Sequence, residues 1–249
     1  MKKAVFIVLL AVACITLVLW WRSGQVVAPA KNNASSAPAS KASTKAFNKS
    51  AFSTSDPASP WVIVNKKNPV NPVTYTPTDL RKPLVPLRVP GANEMQLRED
   101  AATALEKMFA DAKVAGITVQ VSTAYRGYAY QKTLYDGYVA AQGQANADTV
   151  SARPGYSEHQ TGWAVDIRSV PDVCGLEACF GDTAAGKWLA ANAYKHGYLL
   201  RYPSDKVVIT GYNYEPWHFR YIGTSLSQEL HKQQVTTLEE FFAVPGGDY

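Results

Sequence analysis

The sequence carries two short stretches on which its interpretation depends, SEHQTGWAVD at residues 157–166 and EPWHFRY at residues 215–221. The chain has only four histidines, and each stretch contains one of them. A catalytic zinc site needs about three protein ligands from histidine and carboxylate, with one position left open for water. The two stretches supply such a set in His159, Asp166 and His218.

A glutamate lies three residues before the second of these histidines, where it can assist a metal site without binding the metal. Glu215 precedes His218, and the turn that Pro216 imposes lets both side chains face one cavity. Metal-assisted hydrolysis needs a base beside the activated water, so we assign that role to Glu215. A histidine followed seven residues later by an aspartate also occurs by chance, so spacing alone leaves a site without metal open.

Together the two stretches resemble the zinc-dependent D-alanyl-D-alanine carboxypeptidases of the VanY type. The Ser-x-His-x-x-Gly-x-Ala-x-Asp and Glu-x-Trp-His signatures of that family are both intact, and the resemblance covers about residues 90–225. It implies Zn²⁺ as the cofactor and peptidoglycan stem peptides as the partners. It also implies the fold of the family, in which a small, mainly antiparallel sheet flanked by helices carries the zinc site.

A third match is AYRGY at residues 124–128 with Gln131 downstream, which is similar to the Tyr-Arg-Ser-x-x-x-Gln stretch of the family. The resemblance implies that Arg126 holds the oxygen of the scissile carbonyl as it gains negative charge, a task that suits a fixed guanidinium. Gly127 replaces the usual serine, so any hydrogen bond of that serine is absent here. Ser157 and Gln131 are candidates for binding substrate or supporting the zinc ligands, although each is equally able to stabilise its own loop.

The reaction that the resemblance implies is hydrolysis of the terminal D-alanine from a peptidoglycan stem peptide. L,D-carboxypeptidases and peptidoglycan endopeptidases share the same catalytic set, so these alternatives stay open. A non-catalytic wall-binding module predicts an incomplete set, whereas all of its members are present here: Arg126, His159, Asp166, Glu215 and His218.

The first 22 residues have the composition of a membrane segment. Lys2 and Lys3 precede residues 4–21, which carry no charge. A helix of that length spans roughly 27 Å, close to the hydrocarbon core of a bilayer. The two lysines favour a cytoplasmic N-terminus and an extracytoplasmic remainder. We expect an uncleaved anchor in the bacterial cell envelope; the alternatives are secretion after cleavage near residues 28–30 and lipidation at Cys14.

The formal net charge of +5 raises the question of a nucleic-acid or membrane partner. The first 60 residues hold seven basic residues and one acidic residue, while the rest of the chain holds 18 basic and 19 acidic residues. The excess therefore belongs to the N-terminal part, and no nucleic acid is expected as a partner. Residues 23–60 have the composition of a disordered linker, and the six prolines of residues 61–90 favour an extended arm.

Apolar periodicity predicts one α+β domain over residues 91–249, which we expect to be monomeric. Asn93 and Gln96 resemble a capping box, and apolar residues then recur at helical spacing over residues 97–115. Further helices are predicted at residues 128–142 and 184–196, each followed by a glycine. Strands are predicted at residues 117–122, 198–202, 207–210 and 217–222.

Two cysteines lie close together after the first zinc-binding stretch. Cys174 and Cys179 enclose four residues. In an exported domain, nearby cysteines form a disulfide more often than a metal site. We therefore predict a disulfide that shapes the loop following Asp166. The remaining histidines, His196 and His231, are not assigned to the metal.

Overall fold

Two antiparallel sheets are present in residues 46–249, the part of the chain that this computed structural model describes. The smaller sheet pairs β1 (Leu80–Arg81) with β2 (Leu97–Arg98). The larger sheet contains four strands, which in chain order are β3 (Val119–Thr123), β4 (Ala164–Ser169), β5 (Tyr198–Tyr202) and β6 (Glu215–Tyr221). Their spatial order is β3, β4, β6, β5, so β4 and β6 lie at the centre of the sheet.

Helices flank the larger sheet and complete the predicted α+β fold. In the described residues they are α1 (Glu99–Val114), α2 (Tyr128–Gln142), α3 (Gln144–Val150), α4 (Ala184–Asn192), α5 (Val207–Thr210), α6 (Thr224–Gln233) and α7 (Leu238–Phe242). The helix predicted at residues 128–142 is α2. The helix predicted at residues 184–196 is α4 together with the 3₁₀ turn Ala193–His196 that continues it.

The start of α1 differs from the predicted capping box. Asn93 lies in a separate 3₁₀ turn, Asn93–Met95, and α1 begins only at Glu99, without a side-chain cap. Leu97 and Arg98 pair with β1 instead of joining the helix. The capping-box prediction is therefore wrong, because strand pairing takes up the residues between the expected cap and the helix.

The strand predicted at residues 207–210 is also wrong. These residues form the single helical turn α5, which ends at Gly211. The run of Val207, Val208 and Ile209 suggested a strand through its β-branched side chains, but Val208 is 90% exposed. Local β propensity is overridden here because none of the described strands pairs with the segment, which also buries little of its apolar surface.

The core fixes which face of the sheet is available for chemistry. Val165 and Ile167 of β4 belong to the main apolar cluster, as does Phe219 of β6. Successive strand residues point to opposite faces, so the residues between them point away from this cluster. Asp166 and His218 occupy such positions and lie directly opposite each other in the β4–β6 pairing.

The segment before the sheet packs more closely than its composition indicates. The rings of Phe47 and Phe52 lie 5.6 Å and 5.1 Å from the ring of Trp61. Trp61 is itself buried in a second apolar cluster with Ile222 and Leu226. The linker prediction is therefore wrong for residues 46–60, because two phenylalanines have an aromatic partner in the domain. The predicted arm begins with four buried residues, 61–64.

No helix within residues 46–249 is long and apolar enough to cross a bilayer. The membrane helix predicted at residues 1–22, including Cys14, lies outside the described residues, as does the greater part of the predicted linker. These N-terminal predictions stay predictions.

Candidate metal centre and active site

The predicted metal ligands come together on the face of the sheet opposite the main core. His218 Nδ1 lies 3.2 Å from Asp166 Oδ1, and His159 Nε2 lies 3.4 Å from Asp166 Oδ2. One possible ligand atom from each of the three residues falls within 4.8 Å of the others. All three side chains are buried. The sequence motifs thus converge on one site.

Gly162 lets the chain bring His159 and Asp166 together. It ends the 3₁₀ helix Glu158–Thr161 in a left-handed conformation with φ of 72°, which glycine adopts without steric cost. A Cβ at this position would lie 2.8 Å from Arg98 Cγ and 2.9 Å from Leu80 Cδ2. The glycine of the signature is therefore required both by the turn into β4 and by the side chains of the smaller sheet.

Each imidazole is oriented by a hydrogen bond on the side away from Asp166. His159 Nδ1 donates to the carbonyl oxygen of Ala124. His218 Nε2 donates to Glu158 Oε2 at 3.3 Å. Since a carbonyl or carboxylate oxygen only accepts, these bonds place the protons on the outer nitrogens. The inner nitrogens, His159 Nε2 and His218 Nδ1, face Asp166 and are the ones that would bind a metal, as in metal-bound histidines.

Two orphaned atoms test whether a metal fits this site. His159 Nε2 and Asp166 Oδ1 are buried without a hydrogen-bond partner, an arrangement that costs free energy unless another group satisfies them. Two imidazole nitrogens and a carboxylate oxygen are the donors that Zn²⁺ takes in catalytic sites with an open fourth position. The residues therefore fit zinc.

The charges of the ligands and their neighbours suit a bound cation, and His159 is already in its neutral form. Burial and the nearby Arg126 guanidinium lower the pKa of His159 to about 4, so its imidazole is neutral near pH 7. Burial alone would raise the pKa of Asp166, but the His159 and His218 imidazoles hold it well below its usual range. Burial would lower the pKa of His218, but Asp166 and Glu158 raise it to about 9. His218 is therefore protonated near pH 7, and a metal ion would replace the proton on its Nδ1 beside the same carboxylates.

Glu215 lies beside the metal ligands because β6 is irregular. Leu200 of β5 pairs with Phe219 of β6, and the next pair is Tyr202 with Glu215. Between these pairs β5 advances by two residues and β6 by four, so β6 has extra residues at this point. In a regular strand, Glu215 and His218 would point to opposite faces, but the extra residues bring Glu215 Oε2 to 3.7 Å from His218 Nδ1. Burial raises the pKa of Glu215 to about 7. A bulged strand, and not the predicted turn at Pro216, produces this contact.

Arg126 enters the site from the loop after β3. Its Nη1 donates to Asp166 Oδ2 at 3.4 Å, and its Nε donates to Gln131 Oε1 at 3.1 Å. Gln131 also donates to Ser151 Oγ at 3.2 Å and to the carbonyl oxygen of Ala152 at 2.8 Å. Gln131 is fully buried and does not line the cavity. These contacts indicate that Gln131 holds Arg126 in position and does not bind the substrate.

An open cavity of about 350 Å³ gives access to these groups. Ser157 also lines it, although only 3% of this residue is exposed, and its predicted role in substrate binding stays a prediction. Its other walls come from α2, from the segment before β6 and from the disulfide loop: Leu134, Tyr138, Tyr212, Asn213, Tyr214, Leu176 and Glu177. The structure joins Cys174 to Cys179 with a Cα–Cα distance of 5.9 Å, which places the predicted disulfide at the cavity wall.

Sequence reasoning missed Glu158, the carboxylate that holds His218. Its Oε1 accepts from Arg201 Nε at 2.9 Å and from Arg220 Nη1 at 3.1 Å. Burial opposes ionisation, but the two guanidinium groups keep the pKa of Glu158 well below its usual range. A sequence signal for this carboxylate did exist: Arg201 and Arg220 lie within apolar strands, and buried arginines need a buried anion as partner.

A buried His-Asp-His group, with a glutamate and an arginine beside it in a cavity, defines the class of zinc-dependent hydrolases. The model of the VanY family, described as D-alanyl-D-alanine carboxypeptidase, matches residues 94–224. The chain belongs to this family and is a zinc metallopeptidase.

Two curated relatives support the assignment. The putative carboxypeptidase YodJ of Bacillus subtilis is 40% identical over 188 residues, which cover 75% of this chain and 68% of YodJ. A D-alanyl-D-alanine carboxypeptidase of Enterococcus faecalis is 32% identical over 72% of this chain and 64% of its own length. The chain thus spans about two thirds of the length of these relatives.

Solved structures share the fold, and one of them contains zinc. The LdcB LD-carboxypeptidase superimposes with a TM-score of 0.70 at 39% identity, covering 77% of this chain and 89% of LdcB. The vancomycin resistance D,D-pentapeptidase VanY of the VanB-type cassette superimposes with a TM-score of 0.60 at 31% identity, covering 73% of this chain and 97% of VanY. That VanY structure is a complex with Zn(II).

Proposed function

We propose that this protein hydrolyses the peptide bond before the terminal D-alanine of peptidoglycan stem peptides. The observation that carries the proposal is the position of Glu215, 3.7 Å from a metal ligand, in a cavity that Arg126 also lines. Family membership supplies the substrate class. A catalytic set that is complete in geometry as well as in sequence argues against a non-catalytic wall-binding module.

The side chains divide the chemistry among them. His159, Asp166 and His218 hold zinc, which when bound polarises a carbonyl and makes water a better nucleophile near neutral pH. Glu215 takes the proton of the attacking water and passes it to the nitrogen of the departing D-alanine. Arg126, fixed by Gln131, donates hydrogen bonds to the former carbonyl oxygen as negative charge develops on it.

L,D-carboxypeptidase activity is the second candidate. It is favoured by LdcB, an LD-carboxypeptidase that superimposes on this chain with a TM-score of 0.70, whereas VanY gives 0.60. The two activities differ in the residue before the scissile bond. Both use the same zinc ligands and base, so the catalytic residues are common to the two candidates. An endopeptidase that cuts within the stem would use them as well.

Purified stem peptides distinguish these activities. The zinc-loaded chain is incubated with pentapeptide and tetrapeptide muropeptides, and the products are identified by mass spectrometry. Loss of one D-alanine from the pentapeptide supports the D,D-carboxypeptidase, and loss of one from the tetrapeptide supports the L,D-carboxypeptidase. Release of D-alanine from neither peptide contradicts carboxypeptidase activity, and cleavage inside the stem indicates an endopeptidase.

We also propose that residues 1–22 anchor the enzyme to the membrane of the bacterial cell envelope, with the catalytic domain outside. The support is the uncharged run of residues 4–21 after Lys2 and Lys3. Immunodetection in membrane and soluble fractions tests the anchor, since an uncleaved segment keeps the protein in the membrane fraction. Recovery of the protein in the culture medium would support cleavage instead.

A further inference from the structure

The disulfide loop contributes two side chains to the active-site cavity that the proposed reaction does not use. Leu176 and Glu177 lie between Cys174 and Cys179, and both line the cavity that contains the metal ligands. A loop in this position is able to contact a substrate away from the scissile bond. The question is which chemical group it would contact.

The loop is held in place by contacts on both sides. Asp172 accepts hydrogen bonds from Gly175 N at 2.8 Å and from Arg168 Nη1 at 2.7 Å. At the other end, Phe180 is fully buried and its backbone nitrogen donates to the carbonyl oxygen of Glu177 at 2.9 Å. A loop fixed before binding loses little conformational entropy when a ligand arrives.

Glu177 differs in its surroundings from the other carboxylates that line the cavity. Glu158 is paired with two buried arginines, and Asp166 is paired with Arg126 and the zinc-binding histidines. Glu215 is beside His218. Glu177 is exposed and has no ion-pair partner among residues 46–249. Among the carboxylates that line the cavity, Glu177 is therefore the one free to pair with a cationic group of a substrate.

We propose that Glu177 binds the ammonium group of a basic side chain in the substrate, on the amino-terminal side of the scissile bond. The inference rests on the proposed function. Glu177 would repel the carboxylate at the end of the substrate, so the part of the bound substrate next to Glu177 must lie on the amino-terminal side of the scissile bond. The cationic group therefore belongs to one of these earlier residues. Leu176 and Tyr138 line the same cavity and would cover the methylene groups of such a side chain. A stem peptide with a diamino acid as its third residue has this chemistry.

Two pairs of peptides test the proposal. The pentapeptides, and likewise the tetrapeptides, are identical except for lysine or Nε-acetyllysine as the third residue. With the zinc-loaded full chain, KM for the lysine peptide is expected to be about two- to five-fold lower, the effect of a solvent-accessible ion pair, while kcat is the same. In Glu177→Gln the two KM values become equal.

Asp182→Asn is the matched control. Asp182 is an exposed carboxylate at the end of the adjoining 3₁₀ helix, Ala178–Asp182, and does not line the cavity. This variant removes the same charge from the same region and keeps the preference for lysine. A preference that survives in Glu177→Gln overturns the proposal, as does a preference lost equally in Asp182→Asn.

Binding to the Glu215→Gln variant separates this proposal from the proposed function. Calorimetry measures the affinity of both members of each peptide pair without turnover. Tighter binding of the lysine peptide, with no D-alanine released by the wild-type protein, supports the Glu177 contact and contradicts the proposed reaction. Equal affinity for the two peptides, or no binding of either, overturns the Glu177 contact.

Discussion

Glu215 is the side chain on which the proposed hydrolysis depends most directly. Glu215→Gln keeps the shape of the side chain and removes the base, so turnover should fall by about 10²- to 10⁴-fold. Zinc should stay bound, because the three ligands His159, Asp166 and His218 are intact. Release of D-alanine and competition with a chelating dye measure the two properties separately. Hydrolysis by this variant at the wild-type rate would show that the base is misassigned.

Glu158 acts on the metal through His218. Glu158→Gln keeps a hydrogen-bond acceptor but removes the charge beside His218 Nε2, which lies 3.3 Å away. Loss of such a partner typically weakens metal binding by about 10- to 100-fold. Chelator competition should therefore show a lower zinc affinity, and the spectrum of the cobalt-substituted variant should be altered. Unchanged affinity and an unchanged spectrum would reduce Glu158 to a purely structural role.

The residues that bind zinc could be predicted from sequence, but the buried charged residues that position them could not. His159 and Asp166 lie close together in one motif, and the chemistry of their side chains limits what they can do. The partners of Glu158 are Arg201 and Arg220, which are 43 and 62 residues away along the chain. Pairing at that distance depends on the order of the strands, which no local pattern reveals.

At the scale of single elements, α1 shows what an apolar pattern predicts well. Leu105 lies on the buried face of the helix and is fully buried. Leu105→Ala should lower the free energy of unfolding by about 2–5 kcal/mol through lost burial and the resulting cavity. Val114, the last residue of the same helix, is 89% exposed, so Val114→Ala should change stability by less than about 0.5 kcal/mol. Urea unfolding measures both, and equal effects would contradict the assigned faces.

The elements that the sequence mispredicted are those set by distant partners. Leu97 fits the helical pattern of α1, yet it belongs to β2 because β1 lies alongside it. Residues 207–210 have β-branched side chains, yet they form a helical turn, since no strand within residues 46–249 pairs with them. The bulge that turns Glu215 toward His218 likewise depends on how β5 meets β6.

At the scale of the whole molecule, buried charges link the C-terminal helix to the metal centre. Glu239 of α7 accepts two hydrogen bonds from Arg201, at 2.9 Å and 2.7 Å. Arg201 in turn donates to Glu158 at 2.9 Å, and Glu158 holds His218. Asn65 of the N-terminal arm donates to the same Glu239 at 2.9 Å. Both ends of the domain therefore contact the charge network that orients a zinc ligand.

Removal of one charge from this network should affect stability and metal binding together. Glu239→Gln leaves Arg201 with less compensating charge in a fully buried position, so the free energy of unfolding should fall by about 3–5 kcal/mol. Zinc affinity should fall as well, because Arg201 then interacts more strongly with Glu158 and weakens the hydrogen bond between Glu158 and His218. The neighbouring Glu240 pairs with the partly exposed Lys206, and Glu240→Gln should cost less than about 1 kcal/mol and leave zinc affinity unchanged. Denaturant unfolding and chelator competition on both variants measure these effects. A Glu239→Gln variant that is destabilised but binds zinc normally would show that α7 supports the fold without influencing the metal centre.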